Sequence, residues 1–156
     1  NTKLRHMYFY RWPDNSCFQN PVKKLKDEIT SILNQDKSIK KITLIGHSYG
    51  GILVSQLLKD WNLTTPIEIH VIASPLLGTT MLNSMCDYQP ISEIPKESVL
   101  YEWRTQYQLD NVFKNLNKDP QSIELNGSLV TILPDTYKGN RLGHNWSISW
   151  VADEAF

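Results

Sequence analysis

The sequence predicts an α/β fold in which a mostly parallel central sheet carries helices on both faces. Short apolar segments rich in β-branched residues alternate along the chain with amphipathic segments of helical periodicity. The segments 41–46 and 67–73 consist mainly of apolar, often β-branched residues, which is typical of buried parallel strands. A length of 156 residues with 40% hydrophobic content favours a single domain over residues 1–156.

The individual elements follow from periodicity and from turn-forming residues between them. The first helix is predicted to start with Asn20 as its N-cap and Pro21 as its first residue. Residues 74–97 contain three prolines and a glycine, and they are predicted mostly as loop whose leucines and methionines form either a pocket wall or core. The predicted strands are 6–12, 41–46, 67–73, 98–104 and 129–133, and the predicted helices are 21–35, 50–60 and 146–155.

Composition argues against several classes of function. Lys and Arg number 16 and Asp and Glu number 16, so a formal net charge of zero gives no electrostatic case for binding nucleic acid. No apolar stretch approaches 18 residues, so no transmembrane segment is expected, and no signal peptide is visible. The absence of heptads and charge runs gives no sign of a partner protein and leaves the oligomeric state open.

The two cysteines, Cys17 and Cys86, have no metal-ligand spacing. They can pair in an oxidising compartment or remain free as buried thiols, and we expect free thiols. Three N-glycosylation sequons, at Asn62, Asn126 and Asn145, have meaning only in a source that glycosylates secreted proteins.

The letters GHSYG at 46–50 match the pattern G-x-S-x-G between a predicted strand and a predicted helix. A serine on such a sharp, strained turn projects its hydroxyl above the sheet. The motif's two glycines leave room where strand and helix approach closely, and Gly51 extends that clearance. We therefore predict Ser48 as a nucleophile, with the N–H of Tyr49 donating to a developing oxyanion.

A serine nucleophile requires a base, and in this arrangement the chain order is serine, acid, histidine. Of the four histidines, only His144 comes late, in a loop between the last predicted strand and the last helix. The others are His6 in the first predicted strand, His47 inside the motif and His70 inside a strand. His144 is thus the predicted general base.

The acid that orients the base has several candidates. Asp110 follows the predicted strand 98–104 after a short loop, which is the position expected of this acid, and it is our prediction. Asp87 follows the preceding strand and is the alternative, while Asp119 and Asp135 are further candidates.

With these residues in place, the chain resembles the α/β-hydrolase superfamily, specifically its lipase- and esterase-like members. The resemblance rests on KKITLIGHSYGGILVSQLL (40–58), VIASPLLGT (71–79) and GNRLGHNWS (139–147), and it runs from about residue 5 to the end. It implies that Ser48 is acylated by a small-molecule or lipid ester, that His144 transfers the proton and that Asp110 orients His144. It also implies that no metal or cofactor is needed, and it extends to thioesterases, amidases and acyltransferases.

The chain departs from that pattern at its N-terminal side. Such enzymes usually carry a His-Gly-type loop that supplies a second oxyanion donor, and no such loop precedes residue 46. Either N-terminal strands are missing, as in a short or truncated chain that starts at Asn1, or the loop 12–17 supplies this donor while Trp12 lines the pocket. A non-catalytic binding protein with this fold, or an inactive fragment of a larger enzyme, is the competing hypothesis.

Overall fold

The computed structural model describes residues 6–13 and 17–156 and contains a four-stranded sheet in the order β1-β2-β3-β4. Every neighbouring pair of these strands is parallel, which confirms the predicted α/β class with a parallel sheet. Parallel pairing brings the carboxyl ends of all four strands to one edge of the sheet. The strands are β1 (Ile42–His47), β2 (Ile67–Ile72), β3 (Ser98–Arg104) and β4 (Leu129–Ile132).

The three predicted helices are present: the helix 146–155 has the predicted ends, the helix 21–35 begins two residues earlier, and the helix 50–60 is shifted by one residue. The helices are α1 (Gln19–Gln35), α2 (Tyr49–Lys59), α3 (Thr80–Met85) and α4 (Trp146–Ala155), and a 3-10 turn is formed by Tyr107–Leu109. A small antiparallel hairpin consists of β5 (Thr136–Tyr137) and β6 (Asn140–Arg141). Phe18, not Asn20, is the N-cap of α1, so the predicted start was wrong. Pro21 is therefore the third helical residue, where the missing N–H costs nothing because no intrahelical acceptor exists there.

Helix α3 lies in the segment predicted mostly as loop. Its N-cap Thr79 accepts a hydrogen bond from the backbone N–H of Leu82 at 3.3 Å, and Leu82 packs into the core. Leu76 is also fully buried, whereas Met81 and Met85 are 67% and 74% exposed. The apolar residues of this segment thus divide between core and surface.

Alternating residues of β2 face two separate cores. Ile67, Ile69 and Val71 pack in one cluster with the buried faces of α1 and α2. Ile72 points to the opposite face and packs with Val151 of α4 and with other buried residues. Helices therefore cover both faces of the sheet, and α2 lies between the sheet and α1, with every residue from 51 to 58 buried.

The segment 6–12, predicted as a strand, is not one. It is held by side chains instead: the Tyr10 hydroxyl donates to the carbonyl oxygen of Pro21 at 2.8 Å, and the Tyr10 and Trp12 rings stack. Phe9 is 87% exposed. Aromatic content predicted a strand here, but a strand also requires a neighbouring backbone ladder, and none of the described residues provides one.

Cys17 and Cys86 form a disulfide, so the expectation of free thiols was wrong. The bond joins Cys17, which directly precedes the N-cap of α1, to Cys86, the C-cap of α3, and it spans 69 residues of sequence. The main effect of such a cross-link is to restrict the unfolded chain.

Among the described residues, no helix is both long enough and apolar enough to cross a bilayer.

Replacing both cysteines with alanine should lower the free energy of unfolding by about 2–4 kcal/mol, because a long closed loop is released in the unfolded state. Urea denaturation monitored by tryptophan fluorescence measures this difference. Thiol titration of the unfolded, unreduced wild type is the control, and two reactive thiols there would contradict the disulfide.

Candidate active site

Ser48 lies on a sharp turn between the end of β1 and the start of α2. Its backbone has φ 52° and ψ −118°, outside the regions that non-glycine residues favour, at a cost of roughly 1–3 kcal/mol. Backbone hydrogen bonds hold the turn: the N–H of Ser48 donates to the carbonyl oxygen of Ile72 at 2.9 Å, and the carbonyl oxygen of Ser48 accepts from the N–H of Gly51 at 3.0 Å. The Ser74 hydroxyl donates to the same carbonyl at 2.8 Å. A strained serine held in this way is typical of a nucleophile elbow.

Two glycines allow strand and helix to approach at this turn. A Cβ on Gly46 would lie 2.3 Å from the carbonyl oxygen of Gly50, and a Cβ on Gly51 would lie 2.2 Å from the Ser74 hydroxyl. Gly50 differs from the expectation, since a Cβ there meets only the Trp12 ring at 3.5 Å, an ordinary contact. The crowded positions are therefore Gly46 and Gly51.

Asp110 and His144 are joined by a hydrogen bond. The Nδ1–H of His144 donates to Oδ2 of Asp110 at 2.9 Å, and the Asp110 carboxylate is fully buried. Three further donors hold the carboxylate: the Thr105 hydroxyl at 2.6 Å, Val112 N–H at 2.9 Å and Phe113 N–H at 3.3 Å. Both carboxylate oxygens are thus fixed, and the imidazole has one defined direction.

The hydrogen bonds decide the charge of Asp110. Burial alone would raise the pKa of this carboxyl, but the bonds from His144 and Thr105 outweigh it, and the pKa lies below its ordinary value. An ionised Asp110 accepts a hydrogen bond from Nδ1–H of His144, which leaves Nε2 as the ring nitrogen able to take a proton from a hydroxyl.

The buried side-chain amide of Gln121 holds Thr105, the residue whose hydroxyl bonds Asp110. Gln121 accepts from the backbone N–H of Thr105 at 3.0 Å and donates to its carbonyl oxygen at 3.1 Å. Gln121 is itself oriented by Asp119, which accepts from both its backbone and side-chain nitrogens. Sequence reasoning missed Thr105 and Gln121, although Thr105 directly follows a strand at the sheet edge where polar residues collect.

The loop that carries His144 packs closely on the loop that carries Asp110. A Cβ on Gly143 would lie 2.8 Å from the carbonyl oxygen of Leu109, so only glycine allows this approach. The edge of the Phe113 ring contacts the His144 ring with centroids 5.0 Å apart. The Ser147 hydroxyl donates to the carbonyl oxygen of His144 at 2.5 Å.

His144 also lies beside the elbow, because it contacts the residue next to Ser48. The rings of His47 and His144 have centroids 4.7 Å apart, and Nε2–H of His47 donates to the His144 carbonyl oxygen at 3.0 Å. In the sheet, His47 pairs with Ile72 of β2, which in turn pairs with Trp103 of β3. Sequence reasoning gave His47 no role.

The other acids and histidines lie elsewhere. Asp87 is exposed, with φ 50°, and Asp135 is an exposed turn residue whose backbone carbonyl accepts from Leu142. His6 lies 4.0 Å from Asp36 at the far end of α1. His70 is buried on β2, where it bonds Glu68 at 2.8 Å and accepts from the Trp103 indole at 3.1 Å.

The two predicted oxyanion residues flank the elbow. Tyr49 is the first residue of α2, so its N–H lies at the positive end of the helix dipole. The Trp12 ring lies against Gly50, and its indole N–H is buried without a hydrogen-bond partner among residues 6–13 and 17–156. The rest of the loop predicted to supply the second donor includes 14–16, which lie outside the described residues.

No group of three or more His, Cys, Asp or Glu side chains with metal-binding geometry occurs within 6–13 and 17–156. Comparison of the chain with models of protein families, with curated proteins and with solved structures found no match. Function is therefore argued from the geometry of this site.

The crowding at the elbow predicts different outcomes for two adjacent glycines. Gly51→Ala should lower the free energy of unfolding by about 1–3 kcal/mol, because the new methyl group displaces Ser74. Gly50→Ala should be neutral or stabilising by up to about 1 kcal/mol, since its methyl group has room and alanine favours helix. Urea denaturation measures both, and equal losses for the two variants would contradict the close approach at Gly51.

The hydrogen bonds of Asp110 predict a pH dependence of stability. Because its pKa is lower in the folded state than the ordinary value of 3.8, its contribution is complete well above pH 3.8 and is lost as pH falls below it. The free energy of unfolding of Asp110→Asn should lack that part of the acid dependence. Denaturation between about pH 6 and pH 3 tests this, with Asp87→Asn as the matched removal of an exposed carboxylate. Parallel curves for wild type and Asp110→Asn would contradict the assignment.

Proposed function

We propose that this protein is a serine hydrolase of the α/β-hydrolase type that cleaves carboxylic esters through an acyl-enzyme on Ser48. The observation that carries the proposal is the buried Asp110–His144 hydrogen bond beside a strained serine elbow. A fully buried carboxylate that accepts from four donors, one of them a histidine, marks a candidate catalytic group. It is the arrangement that a catalytic base needs.

The chemistry follows from the proton positions. The Ser48 hydroxyl attacks the ester carbonyl carbon while Nε2 of His144 takes its proton. Asp110 stabilises the imidazolium and keeps Nδ1 protonated. The carbonyl oxygen becomes an oxyanion, which the N–H of Tyr49 stabilises at the start of α2. His144 then protonates the departing alcohol, and water hydrolyses the acyl-enzyme by the same steps in reverse.

Exposed apolar side chains in the segment after β2 favour an apolar acyl group in the substrate. Helix α3 follows the carboxyl end of β2, and its Met81 and Met85 side chains are exposed one helical turn apart. The disulfide connects the end of α3 to Cys17, near the chain segment that carries Trp12. Methionine and tryptophan side chains at this edge suit an ester with a hydrocarbon acyl chain.

The triad can be tested by substitution. Ser48→Ala and His144→Ala should each reduce ester turnover by at least about 10⁴-fold while the proteins remain folded. Asp110→Asn should cost on the order of 10⁴-fold, because the amide favours the wrong histidine tautomer. Asp87→Asn is the control and should keep near-full activity. A loss in Asp87→Asn with none in Asp110→Asn would reverse the assignment of the acid.

The reaction class can be tested by labelling. The folded protein is treated with a fluorophosphonate, whose phosphorus a reactive serine attacks with loss of fluoride, and the labelled peptide is identified by mass spectrometry. We expect modification of Ser48 alone, and none in heat-denatured protein.

A panel of nitrophenyl esters of graded acyl length, with a thioester and an anilide, then separates esterase, thioesterase and amidase activity. Absence of labelling in well-folded protein would favour a non-catalytic binding role.

A further inference from the structure

His47 connects the nucleophile to the base although it takes no part in the triad. It is the last residue of β1, and its backbone continues directly into Ser48. A shift of the His47 backbone relative to His144 therefore also shifts the backbone of Ser48. The His47 ring is partly buried at the carboxyl edge of the sheet and is not an exposed loop side chain.

The contact that His47 makes is directional. Its Nε2 lies 3.0 Å from the carbonyl oxygen of His144, and a carbonyl can only accept, so the proton of His47 lies on Nε2. Burial lowers the pKa of His47, and the bond to this carbonyl opposes that shift only in part. A neutral ring with its single proton on Nε2 satisfies the geometry.

The remaining contacts of His144 lead away from the elbow. Its Nδ1 bonds Asp110 after β3, its ring meets Phe113, and its carbonyl also accepts from Ser147 in α4. These contacts orient the imidazole within its own loop, but they do not fix the separation between that loop and Ser48. The His47 hydrogen bond joins the His144 loop directly to the end of β1.

We propose that His47 is a positioning residue whose Nε2–H holds the His144 backbone at a fixed distance from Ser48, so that the base and the hydroxyl are aligned before substrate binds. This inference rests on the proposed function. Alignment of this kind affects the chemical step more than binding, because a displacement of about 1 Å at reacting groups can cost about 100-fold in rate.

A matched pair of variants separates this role from simple packing. His47→Gln keeps a donor at nearly the position of Nε2, whereas His47→Met has a similar length and volume but no donor. We expect His47→Met to lower kcat for a nitrophenyl ester by about 10–100-fold with KM nearly unchanged. We expect His47→Gln to recover to within about threefold of wild type. Thermal unfolding of both variants establishes that they are folded to the same extent.

Each result has a definite meaning. A low kcat in His47→Met with recovery in His47→Gln, at equal thermal stability, supports the positioning role. Full activity in His47→Met, equal losses in the two variants, or a rise in KM in place of a fall in kcat would each overturn it. These results require an active wild type, in which the fluorophosphonate labels Ser48. An unlabelled wild type would overturn the proposed function itself, and so the two failures are distinguishable.

Discussion

The close approach of β1 and α2 at Gly46 is the constraint on which the site depends. Because Gly46 has no side chain, the carbonyl group of Gly50 can lie where that side chain would be. The chain can therefore turn from strand to helix within one residue. The strain of that turn falls on Ser48, whose φ is 52°. Ser48 donates a backbone hydrogen bond to Ile72 and accepts hydrogen bonds from Gly51 and Ser74. These bonds offset the backbone strain and hold the serine at the carboxyl edge of the sheet.

The same edge collects polar groups that would be costly elsewhere. A carboxylate without exposure to water is stable only when its hydrogen bonds replace hydration, and Asp110 has four such bonds. Thr105 and Gln121 extend that network away from the histidine. The hydrogen bonds that orient Asp110 therefore also orient the His144 ring. His47, at the end of β1, bonds the backbone of the same residue.

Features that depend on neighbouring residues were predictable, and features that depend on distant ones were not. The strand-turn-helix around Ser48 is local, and its prediction matches the observed β1 and α2 within one residue at each end. The segment 6–12 has strand-forming aromatic residues, but tertiary packing of Tyr10 and Trp12 decides its conformation. The cysteines gave no local signal, because their pairing depends on where α1 and α3 lie.

The sequence by itself determined the α/β class and the position of a serine on a glycine-flanked turn, because periodicity and turn chemistry act within a few residues. Only the tertiary structure decided that Asp110 and not Asp87 bonds His144, that Cys17 pairs with Cys86, and that His47 bonds the backbone of His144. These contacts join residues 34, 69 and 97 positions apart. The two hydrogen bonds form because parallel strands end at one edge of the sheet, where the loop after β3 and the end of β1 meet the loop before α4. The disulfide forms because the start of α1 lies beside the end of α3.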